Sequence, residues 1–296
     1  MSALPAWQPH LEVWLLVGGV LALGIYAAWV IGPKVVPAGQ PVVTRQQGFW
    51  FAFGIVTLWV SSTWPIHDVA EQQLYAVHMV QHFALTMLVP PMFLLATPRW
   101  LAGLLVTQGG NAWMWLRRVA NPVVAAVIFN SVVVLSHWTF VVNTSVTNGP
   151  FHFGMHLLVV TSALIMWIPV CGPWPELRMS SIPATCIYLF VQSIIPTVPG
   201  AWLTFATTAV YSAYDDGGLR LWNIDVTDDQ QMAGVFMKVV SGFYLWGIII
   251  VLFFRWAVGT FERDNKSNLL TDEQVDQIEA LRAAGPPSTA STSTSS

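Results

Sequence analysis

The chain has 296 residues, of which 55% are hydrophobic and only 9% are Asp, Glu, Lys or Arg, against about 25% charged in a soluble domain. With 16 tryptophans and a mean hydropathy of +0.59, this composition excludes a disordered chain, a secreted disulfide scaffold and an ordinary cytosolic enzyme, and indicates a polytopic membrane protein. A net charge of −3 offers nothing to nucleic acid, and Cys171 and Cys186 make neither a CxxC pair nor a disulfide framework.

A hydrocarbon core of ~30 Å takes about 20 apolar residues in a helix. Residues 1–10 contain no Lys or Arg, unlike a cleaved signal, so they read as a short outer segment and the run 11–31 as the first span. Further apolar stretches follow at 48–64, 74–96, 122–143, 151–171, 182–207 and 232–256. Between the third and fourth, residues 112–119, with Trp113, Trp115, Arg117 and Arg118, suit a short interfacial helix. Pro183, Pro196 and Pro199 predict that the sixth helix is kinked or broken near its end.

After the seventh stretch, Thr271 and Gln274 resemble a capping box ahead of Val275, Ile278 and Leu281. That predicts a short helix in a cytoplasmic tail, 261–285, followed by a Pro-, Ser- and Thr-rich disordered end, 286–296. The fold expected is all-α, a bundle of seven transmembrane helices over 11–260.

Basic residues orient it. Lys34, Arg45, Arg99, Arg117, Arg118, Arg178, Arg255, Arg263, Lys266 and Arg282 all fall on one side. The other side has Arg220 alone, with Asp68, Glu71, Asp215, Asp216, Asp225, Asp228 and Asp229. The positive-inside bias places the N-terminus outside and the C-terminus in the cytoplasm. Tryptophans near the span ends, among them Trp7, Trp64, Trp138 and Trp202 outside and Trp29, Trp50, Trp100, Trp167 and Trp256 inside, suit an aromatic belt.

On that topology all 7 histidines, His10, His67, His78, His82, His137, His152 and His156, lie outside or in the outer part of a span. His78 with His82, and His152 with His156, each put two imidazoles one helical turn apart on one face. Two such pairs entering from the same side point to a metal site. At 1.5 Å per residue, His82, His137 and His156 lie ~8–12 Å deep. They form a candidate three-imidazole site, with His78 and His152 one turn shallower as an outer pair. Imidazole suits Cu, Zn, Ni and Fe; the thioether of Met155, on the His152/His156 face, favours copper.

Asp68 and Asp229, at the outer ends of the second and seventh spans, are candidates for holding ligands in place or for capping helices, with capping favoured for Asp229. Lys238, six residues into the seventh span, would snorkel or pair with Asp229. There is no HExxH, no phosphate-binding glycine loop, and no acid deep in a span, so no protease, nucleotide enzyme or proton-coupled transporter is expected.

The runs Trp64-Pro65-Ile66-His67-Asp68, His78-Met79-Val80-Gln81-His82, Pro90-Pro91 and Ala96-Thr97-Pro98 resemble the CtaG family of assembly factors for caa3-type cytochrome c oxidases. Ser136-His137-Trp138, the second histidine pair, Trp167-Ile168-Pro169, and Asp229-Gln230 with Gly234 and Met237 follow in the family's order over about 45–260. The resemblance implies a non-enzymatic role in maturing a haem–copper oxidase and its copper centres, in a bacterial cell (inner) membrane. The partners would be an oxidase subunit and an extracytoplasmic copper chaperone. Joined to the histidine pattern, it yields a protein that holds a copper ion at the outer leaflet and hands it over. A haem-binding membrane protein and a metal-free assembly scaffold are the alternatives.

Overall fold

A computed structural model describes residues 4–215 and 221–283, with side chains through 265 and at 274–277 and 279. The disordered end expected at 286–296 lies outside these residues, as do Asp216 and Arg220. All regular structure described is helical. The helices are α1 (Leu11–Val35), α2 (Arg45–Ser62), α3 (Ile66–Gln72), α4 (Tyr75–Ala96), α5 (Arg99–Gln108), α6 (Asn111–Val119), α7 (Pro122–Ser136), α8 (Thr139–Thr147), α9 (Gly149–Cys171), α10 (Ile182–Ile194), α11 (Thr197–Thr204) and α12 (Val226–Ala283). Among the described residues six segments are long and apolar enough to cross a membrane, or seven if the bent pair α6–α7 counts as one. Two compact units emerge, residues 1–249 and 250–296. The first holds all 7 histidines.

Several helix starts are written locally. Thr44 and Gln47 form a capping box before α2. Asn121 Oδ1 accepts from Val123 N, Asn148 Oδ1 from Phe151 N, and Ser181 Oγ from Ala184 N; a proline in the first turn of α7, α9 and α10 wastes no donor there. The break anticipated in the sixth span falls between Ile194 and Thr197, at Pro196. The stretch expected to form a short helix over 112–119 is helical, as α6. In the tail, by contrast, α12 runs unbroken through Thr271, so the capping-box pattern there starts no helix.

α4 is the central element. It packs between α2 and α9, and α9 in turn packs on α7. Pro90 and Pro91 have no amide hydrogen, so the carbonyls of Thr86 and Met87 lack their intrahelical donors, and the helix loosens into a π turn over Ala84–Leu88. Trp167 Nε1 donates to Thr86 O at 2.9 Å, and the Tyr244 hydroxyl donates to Met87 O at 2.9 Å. Trp167, expected in the inner belt, is therefore a core residue, 2% exposed. An orphaned carbonyl among apolar side chains costs more than the tryptophan gains at an interface.

The expected fourth span, 122–143, is also revised: its helix stops at Ser136. His137 Nδ1 donates to Val133 O at 2.7 Å, the carbonyl its own backbone amide would otherwise take, and that amide shifts to Val134 O. Ser136 Oγ also donates to Val133 O. Side-chain competition for one carbonyl ends the helix, and Trp138 turns extended before α8.

At the crossing of α11 and α12, a Cβ on Gly234 would stand 2.5 Å from Gly200 O and 2.6 Å from Thr204 Oγ1. Gly234→Ala is expected to force these backbones apart and cost ~1–3 kcal/mol. Thermal unfolding in detergent checks it, with Gly242→Ala, which meets nothing within 4 Å, as the silent control.

Candidate metal centre

Four histidines converge where α3, α4 and α9 meet. His152 Nε2 and His156 Nε2 stand 2.5 Å apart with stacked rings. The His78 ring lies 5.5 Å from His152 and 5.8 Å from His156, and the His82 ring lies 4.4 Å from His78 and 4.9 Å from His156. One nitrogen each from His78, His152 and His156 falls within a 4.8 Å group. Depth along the helices groups His82, His137 and His156, with His78 and His152 above them. The structure brings His78, His152 and His156 together instead, with His82 beside them. Depth counts residues along an axis and leaves out how each helix is rotated.

His137 sits apart. It lines a small cavity of about 20 Å³ together with His78, His82, His152 and His156, and shares with His82 an adjoining one of about 60 Å³. The larger is lined by the thioethers Met79, Met87 and Met237, and Met155 lines the smaller with His78, His152 and His156. The Val133 carbonyl can only accept, so His137 Nδ1 carries the proton and Nε2 presents a lone pair. That Nε2 is buried without a partner, and so is His78 Nδ1.

Carboxylates orient the rings. Glu71 Oε1 accepts from His152 Nδ1 at 2.6 Å and lies 3.4 Å from His67 Nε2. The Nδ1 proton of His152 being committed to Glu71, its Nε2 presents a lone pair toward His156 Nε2, in the carboxylate–histidine arrangement typical of metal sites. Gln81 Nε2 donates to His67 Nδ1 at 2.9 Å, and Asp68 holds His10 Nε2 at 3.1 Å. Asp68, 0% exposed, thus orients the His10 ring, which is not one of the candidate ligands.

Asp229 caps, but not its own helix. Its two carboxylate oxygens accept from Tyr75 N at 2.8 Å and Ala76 N at 2.9 Å, the first amides of α4, while Asp225 caps α12 through Thr227 N. Lys238 lies on an exposed face. The segment after α11 covers the cluster. Gln230 Oε1 accepts from Val210 N and Tyr211 N, and its Nε2 donates to Tyr211 O. Tyr211 donates its hydroxyl to His137 O at 2.9 Å, and Tyr214 donates to Ala70 O. Burial pushes the Tyr211 phenol up to about 12, so it stays a neutral donor.

The donor set fits a soft or borderline ion. Nitrogen donors at ~2 Å from one ion sit roughly 3.3 Å apart, so the three rings need only small rotations. The two orphaned buried imidazole nitrogens lack the partner that buried polar atoms require. Sequence reasoning named the five histidines but missed Glu71, Gln81 and Tyr211 as participants. His67 and Glu71, i and i+4 on α3, were legible; the Asp68–His10 pair, 58 residues apart, was not.

The fold and cluster define a class: a polytopic helical membrane protein gathering imidazoles and a carboxylate at one end of its apolar helices. The profile of the cytochrome c oxidase caa3 assembly factor family (Caa3_CtaG) matches residues 24–258, and the chain belongs to that family. No curated protein and no solved structure matches the chain.

Proposed function

We propose that this assembly factor carries copper as cargo on His78, His152 and His156 and passes it to a subunit of the haem–copper oxidase in a bacterial inner membrane. The observation that carries the reading is the convergence of these three imidazoles, one of them oriented by Glu71. His82 and His137, with the adjoining thioether-lined cavity, supply further soft donors through which ligands can exchange stepwise. An extracytoplasmic copper chaperone is the source this reading favours. Protein purified from copper-grown cells should hold about one copper ion per chain, released by chelator. A Soret band in its place would favour the haem alternative. Copper-free protein that supports full oxidase assembly would leave only the scaffold.

The same reading needs the cluster to face outward, with seven spans, N-terminus out and C-terminus in. Cysteines placed at Thr147 and Asn223, both exposed, should react with a membrane-impermeant thiol reagent in intact cells. One at the exposed Gln108 should react only after lysis. Equal labelling of Gln108 and Thr147 in intact cells would reverse the orientation and sink outward copper uptake.

A further inference from the structure

Beside the histidine cluster, and separate from its two small cavities, lies a space of about 1090 Å³ enclosed by α1, α2, α4 and α9. A water takes about 30 Å³, so neither an ion nor its hydration shell accounts for it. The space runs from His10 and His67 at the histidine end to Trp29 and Trp100 at the other. The 19 residues from His10 to Trp29 correspond to about 28 Å of helix. Its wall is apolar, with Val20, Phe51, Leu85 and Leu164. Leu16 and Leu157 line it and are exposed, 40% and 54%, which opens it sideways to the hydrocarbon.

The polar groups are confined mainly to the ends, and their charges select the occupant. Among the described residues no Lys or Arg lines the space, whereas Glu12 and Glu71 do. A phosphate head or a pair of haem propionates would meet carboxylates and find no cation to hold it. Gln81 lines the histidine end and is 1% exposed; its Nε2 is committed to His67 while its Oε1 is buried without a partner. That oxygen requires an incoming N–H or O–H. The edge-to-face imidazoles of His10 and His67, with centroids 4.5 Å apart, offer aromatic walls to a flat ring.

We propose that this space binds a neutral lipid of the isoprenoid quinol class, a ring hydroxyl donating to Gln81 Oε1 beside His67 and its chain running along α1 and α9. A long apolar slot with few polar groups at one end is the expected form of such a site. The inference does not depend on copper, and its test is run with chelator present.

Full-length protein in mild detergent is loaded with menaquinol-4, held reduced by dithionite under argon, passed through a sizing column and extracted with solvent. About one quinol per chain is expected, more than with oxidised menaquinone-4 and unaffected by excess dioleoylphosphatidylglycerol or dioleoylglycerol. Val20→Trp and Leu157→Trp fill the space from opposite walls and should each lower retention at least 10-fold while eluting as monodisperse protein. If one of them misfolds, the other decides. Gln81→Leu should weaken binding about 10-fold with the wall intact. Retention no better than detergent alone, displacement by either glycerolipid, or full retention in the folded Trp variants would each overturn the proposal. Since no arm reads copper, failure here leaves the copper reading untouched.

Discussion

Alanine at His78, His152 or His156 is expected to abolish stable copper retention, with a loss of about 100-fold or more in affinity. Changes outside the ligand shell alone typically cost 10–100-fold, and these three supply the converging nitrogens. Glu71→Gln should fall in the outer range, roughly 10-fold. The amide oxygen still accepts from His152 Nδ1, but it no longer offers the carboxylate charge that raises the basicity of Nε2. Alanine at His82 or His137 should leave retention largely in place and slow delivery, seen as oxidase short of copper when external copper is low. Ranking by depth alone reverses part of this order, putting His82 and His137 with the essential ligands and His78 and His152 with the dispensable pair. Copper content and oxidase activity of the six variants, at matched expression, separate the two orders. Normal oxidase in all six would favour the scaffold.

Asp229→Ala is expected to cost ~2–4 kcal/mol and to show as a large fall in thermal stability and in the yield of folded protein. The substitution strands the amides of Tyr75 and Ala76 at the buried start of α4. A buried donor left without a partner costs ~1–3 kcal/mol, and loss of an N-cap carboxylate alone ~0.5–2 kcal/mol. Tyr75 stacks on His78 with ring planes 18° apart, so fraying of this first turn also displaces a proposed ligand. Asp229→Asn keeps an oxygen that can accept one of the two amides and should recover about half the loss. The outcome that counts against this account is Asp229→Ala matching wild type while Asp229→Asn does worse, since no cap would then be acting.

Much of this architecture is legible because its causes are local. Apolar runs of about 20 residues report burial in lipid, Thr44, Asn121, Asn148 and Ser181 mark helix starts, and Pro196 marks a break. The i, i+4 spacing of His78/His82 and His152/His156 puts each pair on one helical face by spacing alone. The family resemblance also rests on contiguous runs, and the match over residues 24–258 agrees with it.

What the amino-acid order determined by itself, then, is an all-helical chain with six or seven segments able to cross a membrane and a set of histidines at corresponding ends of them. Tertiary packing alone decided which imidazoles meet, because helix rotation depends on neighbours: α4 is wedged between α2 and α9, and that wedge turns His78, rather than His137, toward His152 and His156. It also moved residues out of roles their position suggested. Trp167 became the donor for a proline-orphaned carbonyl, His137 the terminator of its own helix, and Asp229 the cap of another helix 154 residues away in sequence. In each case a buried polar group in apolar surroundings had to find a partner, and which partner lies within 3 Å is set by packing and not by the sequence on either side.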